Sequence, residues 1–147
     1  MNKSTARILV VDDDSRLLGL LTETLSSIGY TAEDARSAKE ALVKLAESKF
    51  HLIITDIKMP EMDGLSLLER IRKNYPGLPV IFITGLPRTD IVLAVNPEGI
   101  LSKPFRISNL EDLIERALES KLSGKLESNR SDENAGKLLS EAVGPAN

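Results

Sequence analysis

The stretch His51–Gly64, HLIITDIKMPEMDG, constrains the fold of this 147-residue chain more than any other. Leu52, Ile53 and Ile54 form an apolar run, and Thr55 and Asp56 follow it. A turn then carries Pro60, Asp63 and Gly64. An apolar run of this length, ending in a charge and then turn residues, reads as a strand buried on both faces. Such a strand needs helices above and below it, so the run calls for a layered α/β fold. It also delivers Asp56 to the carboxyl edge of the sheet, where ligands and chemistry collect in open α/β folds.

The other segments supply the layers. Arg7–Val11 (RILVV) is another buried strand, and three acids, Asp12, Asp13 and Asp14, follow it before Ser15. One of the last two acids can cap the next helix, where free N–H groups and the positive dipole end favour an oxygen. Capping does not need three acids. Leu17, Leu18, Leu21, Leu25 and Ile28 recur at helical spacing, and Gly29 is placed to end that helix. Tyr30–Ala35 is polar enough to suit a sheet edge. Ser37 with Glu40 makes a capping box, and Ala38, Ala41, Leu42 and Leu45 give the second helix its buried face.

A third helix is expected from about Leu65, with Leu68, Ile71 and Tyr75 on one face and Pro76–Gly77 as its stop. Pro79–Thr84 (PVIFIT) is a further continuous apolar strand. Pro87 and Pro97 bracket Arg88–Asn96, which leaves room for a helix of about two turns. Gly99–Lys103 is a short strand ending at a lysine before Pro104. A Ser108–Glu111 box then opens a last helix with Leu110, Leu113, Ile114, Ala117, Leu118 and Leu122. Strand and helix thus alternate five times, which implies a parallel sheet with helices on both faces.

After Ser123 the composition turns to Ser, Asn, Glu and Gly, so 123–147 reads as a mobile tail or linker beyond a domain of 1–122. Lys137–Val143 is an exception that could make one or two helical turns against a partner.

Composition excludes several classes. A net charge of −3 with no basic stripe argues against direct nucleic-acid binding. There is no cysteine, hence no disulfide or thiolate metal site. The N-terminal apolar run is too short for a signal peptide, and no segment approaches the roughly 20 apolar residues of a membrane span. A cytoplasmic location is expected.

In a parallel sheet the strand ends converge: Asp12–Asp14, Asp56, Thr84 and Lys103 share one edge. Clustered carboxylates repel, and a hard divalent cation with oxygen ligands, Mg²⁺ being the usual one, resolves the conflict. A carboxylate can attack phosphorus to give an acyl phosphate. The equatorial charge of that transition state needs a metal, a cation and a hydroxyl. The acidic pair Asp12 and Asp13, Lys103 and Thr84 meet those needs, so the expected chemistry is phosphoryl transfer to Asp56.

ILVVDDD, LIITDIKMPEMDG, PVIFITG and ILSKPF, in this order and spacing, resemble the receiver domain of two-component response regulators over about Ala6–Leu122. The resemblance implies a flavodoxin-like (βα)5 fold with strand order 2-1-3-4-5. It implies that Asp56 takes a phosphoryl group from a phosphohistidine on a sensor histidine kinase or histidine phosphotransfer protein. It further implies Mg²⁺ held by Asp12, Asp13, Asp56 and the backbone carbonyl of Lys58. Thr84 would hydrogen-bond the phosphoryl group, Lys103 would pair with it, and Pro104 would follow a cis peptide. The resemblance also implies that Lys58 and Leu86 lie where the phosphoryl lifetime is tuned.

Two departures stand out. The Thr84–Lys103 segment is short, and Ile100 stands where many receivers carry an aromatic ring that turns inward on activation. Phosphorylation is expected to survive them, with dimerisation through this face weaker or differently built. GILSKPF and the short helix also resemble receivers attached to hybrid sensor kinases. The tail of 25 residues is too short for a helix-turn-helix output module, so output is expected through an unidentified partner or onward transfer. The competing reading is a pseudo-receiver that binds partners without being phosphorylated. An aspartyl-phosphate phosphatase is disfavoured because Lys58, not an acid, stands two residues after Asp56. Asp14, Asp63–Gly64, Met59, Met62 and the single histidine, His51, read as structural; His51 has no evident partner in the sequence.

Overall fold

The computed structural model describes residues 3–85 and 95–126. Five strands, β1 (Arg7–Val11), β2 (Thr31–Ala35), β3 (Leu52–Asp56), β4 (Val80–Thr84) and β5 (Gly99–Ser102), form one parallel sheet. Their order is β2-β1-β3-β4-β5, as expected. The described helices are α1 (Ser15–Ile28), α2 (Ala38–Glu47), α3 (Gly64–Asn74) and α4 (Ile107–Leu126). Most of the short helix expected over Arg88–Asn96, like Leu86, falls on 86–94, outside the described residues.

Alternation within each central strand explains why the runs are apolar throughout. Leu9, Val11, Ile53 and Phe82 join α2 and α3 in one core layer, while Ile8, Val10, Ile54 and Ile81 join α1 and α4 in the other. Residues of opposite parity point to opposite faces, and both faces are covered. Each fully buried Leu, Ile or Phe contributes about 1.5–3 kcal/mol, so the central strands hold the sheet edge rigidly. At the rim, β2 is polar at Thr31, Glu33 and Asp34 and only partly covered, as its composition predicts.

Caps set the helix entries. The Asp14 side chain accepts from the N–H groups of Arg16 and Leu17, and Gly29 at φ 123° ends α1. Ser37 Oγ accepts from Glu40 N–H, while the Glu40 carboxylate reaches back to the N–H of Arg36, one residue before the cap. At α4 the expected Ser108–Glu111 box is replaced. The helix begins at Ile107, Leu110 N–H donates to Arg106 carbonyl, and Glu111 lies 3.6 Å from Lys3 Nζ in an ion pair. The Lys3 contact comes from the far end of the chain, which local spacing cannot reveal. His51 also has a partner after all: its Nδ1 accepts from Arg7 N–H at 3.0 Å, and its own N–H donates to Arg7 carbonyl. It pins the start of β3 to β1, so its role here is structural.

Candidate phosphoacceptor and metal site

Strand register brings the predicted site residues to one level. Val11 pairs with Thr55, so Asp12 and Asp56 follow side by side on adjacent strands. Asp56 pairs with Ile83, and Thr84 with Ser102, so Thr84 and Lys103 continue the row one position further out each time. All lie at the carboxyl edge, where the buried strands β1, β3 and β4 and the half-covered β5 end.

Lys103 closes the row. Its Nζ lies 3.1 Å from Asp12 Oδ2 and 3.0 Å from Asp56 Oδ2, donating to both carboxylates. The two acids are nearly enclosed, with side chains 4% and 11% exposed. Backbone N–H groups take the remaining oxygens: Asp14 donates to Asp12 Oδ1 at 2.9 Å, and Lys58 donates to Asp56 Oδ1 at 3.3 Å. Each carboxylate is thus held by the ammonium on one oxygen and by its own loop on the other.

Thr84 is buried, and its carbonyl accepts from Lys103 N–H at 2.7 Å, tying β4 to β5 at the site. The Lys103–Pro104 peptide is cis, as the resemblance implied. Asp13 is exposed, but it offers an oxygen to the same cluster: ligand atoms of Asp12, Asp13 and Asp56 lie within 4.8 Å of one another.

The electrostatics show what this cluster lacks. Burial raises the Asp12 pKa, and the Asp56 charge adds to the rise; the Asp14 N–H and Lys103 work against it without cancelling it. Burial alone would lower the Lys103 pKa, but its hydrogen bonds to Asp56 and Asp12 and their charges win and raise it. Among the described residues, one protonated lysine therefore faces three carboxylates. The donor set is all oxygen, carries surplus negative charge and is open on the Asp13 side, which fits a hard divalent cation.

Two features of the site were not visible in the sequence. The hydroxyl of Thr55, fully buried, donates to the Asp56 carbonyl at 2.9 Å. Gly64 crosses directly over the same peptide: a Cβ there would stand 2.3 Å from the Asp56 carbonyl oxygen and 2.9 Å from Ile57 Cα. Gly64 N–H donates to Ile57 carbonyl at 2.7 Å, and Asp63 caps α3 through Ser66 N–H. The Asp–Gly pair signalled a turn, as expected; nothing in its spacing signalled contact with Asp56.

Comparison with known proteins agrees with this geometry. A family model described as "Response regulator receiver domain" matches residues 8–115. The transcriptional regulatory protein GlrR of Escherichia coli K12 is 39% identical over 122 residues, covering 81% of this chain and 28% of GlrR. The receiver protein CpdR of Brucella abortus is 36% identical, covering 76% of this chain and 96% of CpdR. The chain therefore spans little more than a quarter of the transcriptional regulator but nearly all of CpdR. Among solved structures, a CheY-like receiver from Methanospirillum hungatei superposes with a TM-score of 0.76 at 33% identity, covering 80% of this chain and 97% of its own. The response regulator TrrA of Thermotoga maritima, solved in complex with Mg²⁺ and BeF, gives 0.72 at 32% identity, covering 78% of this chain and all of its own. From register, charge and kinship together, the chain belongs to the response regulator receiver domain family, the phosphoacceptor modules of two-component signalling.

Proposed function

We propose that Asp56 is the phosphoacceptor, that it takes its phosphoryl group from a phosphohistidine on a sensor histidine kinase or phosphotransfer protein, and that the chain catalyses this transfer itself. The observation that carries this reading is Lys103 Nζ bridging Asp12 and Asp56 beside a third carboxylate, Asp13. Asp12, Asp13, Asp56 and the carbonyl of Lys58 would hold Mg²⁺. The ion would neutralise charge on the phosphoryl oxygens and draw the donor to the acidic edge.

The residues then divide the work. A carboxylate oxygen of Asp56 forms the new O–P bond as the P–N bond of the phosphohistidine breaks, and the electron pair leaves with the imidazole. Lys103, already within hydrogen-bond reach of Asp56, offers its ammonium to the incoming oxygens. Thr84 offers its hydroxyl from the next strand end. Hydrolysis of the acyl phosphate resets the switch. Within this reading the receiver unit is 1–122, followed by the segment 123–147, and the module works in the cytoplasm through a protein partner.

Incubation with Mg²⁺ and acetyl phosphate, followed by intact-mass measurement, tests the assignment. The parent chain should gain one phosphoryl group and Asp56→Asn should gain none. Equal labelling of Asp56→Asn would move the acceptor elsewhere, and an unlabelled parent would favour the pseudo-receiver reading.

A further inference from the structure

Thr55 is fully buried, in a strand whose preceding residues are Leu52, Ile53 and Ile54. By strand parity its side chain points with Ile53 into the core layer of α2 and α3. Its register partners are Val11 and Phe82, both buried in that layer. A valine would fill this place without burying a polar group. A hydroxyl taken out of water is unfavourable unless it is hydrogen-bonded, so the bond it makes here decides what the residue does.

That bond runs from the Thr55 hydroxyl to the Asp56 carbonyl at 2.9 Å. It spans both backbone dihedrals of Asp56 and so fixes how the chain leaves β3, which ends at this residue. Gly64 crosses over the same carbonyl, close enough that a Cβ there would overlap the oxygen. Two residues after Asp56 comes Lys58, whose N–H donates to Asp56 Oδ1 at 3.3 Å. Rotation about the Asp56 Cα–C bond would swing the Lys58 peptide away from the carboxylate and leave Lys103 to hold it through Oδ2.

We propose that Thr55 is a positioning residue for phosphoryl transfer. Through the Asp56 carbonyl it holds the Asp56 carboxylate and the Lys58 peptide at the spacing the reaction uses. The role rests on the reading of Asp56 as the phosphoacceptor. Thr55 does not touch the reacting oxygens; it acts on the backbone that carries them. A packing role and a positioning role rank two substitutions in opposite orders. Thr55→Val keeps the branched shape and loses the donor, whereas Thr55→Ser keeps the donor and loses a methyl group.

An intact-mass time course of the full chain with saturating Mg²⁺ and acetyl phosphate reads the ranking. Thr55→Val should label on the order of 10–100-fold more slowly than the parent, the effect of a small misplacement of a reacting group. Thr55→Ser should label at a rate near the parent's, although its urea midpoint falls with the lost methyl group. In assigned ¹⁵N spectra recorded without metal, the Lys58 amide resonance should move in Thr55→Val and stay near its parent position in Thr55→Ser. Labelling of Thr55→Val at the parent's rate, with the parent labelled and Asp56→Asn silent, overturns the role of Thr55 alone. Thr55→Ser as slow as Thr55→Val shows that packing sets the rate and overturns it as well. A Lys58 amide unmoved in Thr55→Val overturns the route through the peptide. An unlabelled parent overturns the phosphoacceptor reading, and the role of Thr55 falls with it.

Discussion

At the residue scale, Asp12 contributes to stability in the opposite sense from a typical salt-bridged acid. Its folded pKa is raised, first by burial and then by the Asp56 charge, so the folded chain binds the Asp12 proton more tightly than the unfolded chain does. The Asp12 contribution is therefore greatest at low pH and declines as pH rises from the ordinary carboxylate value through the raised one. Lys103 acts in the alkaline range. Its folded pKa is raised despite burial, so its contribution is full below the ordinary lysine value and is lost above the folded one. Asp12→Asn keeps an oxygen for Asp14 N–H and removes the titrating charge. Urea unfolding at a series of pH values without divalent ions should show a shallower decline toward neutrality in Asp12→Asn than in the parent. An unchanged slope would show that other groups set it.

At the element scale, the first turn of α3 does two separable jobs. Asp63 caps the helix through Ser66 N–H, so Asp63→Ala should cost about 1 kcal/mol of stability. Gly64 instead lies against the Asp56 peptide, where a methyl group would overlap backbone that cannot move aside alone. Gly64→Ala should cost about 1–3 kcal/mol, as overpacking does. It should also slow acetyl-phosphate labelling on the order of 10–100-fold by displacing Asp56. Urea midpoints and an intact-mass time course separate the two: Asp63→Ala should label at a rate near the parent's once folded. Equal slowing in both would mean that loss of the cap, not the Gly64 contact, moves Asp56. These neighbours also show what a sequence can reveal. The Asp14 and Asp63 caps, the buried strands and the convergence of Asp12, Asp56, Thr84 and Lys103 were legible because strand periodicity and cap chemistry are local. Gly64 against Asp56, His51 beneath Arg7 and Glu111 beside Lys3 were not, because each depends on where a distant backbone passes.

At the scale of the whole molecule, the sheet concentrates like charge at one edge, and that edge is anchored to both core layers. Among the described residues Asp12, Asp13 and Asp56 face a single ammonium, Lys103, and the strands that lead to the three acids run through the centre of the fold. Divalent-ion binding should therefore appear as global stability. With Mg²⁺ at ten times its dissociation constant the gain is about 1.4 kcal/mol, or roughly 5 °C in the thermal midpoint of a domain this size. Sodium chloride at matched ionic strength should give much less, since screening does not neutralise a largely enclosed pair. Lys103→Met sharpens the test. Removing this cation should lower stability without metal, because Asp12 and Asp56 then lose the ammonium that both of them bind. It should also enlarge the Mg²⁺-induced rise, because the metal then takes over the neutralisation that Lys103 supplied. A Lys103→Met midpoint no more responsive to Mg²⁺ than the parent's would mean that lysine and metal do not share these carboxylates, and the metal site would have to be sought elsewhere.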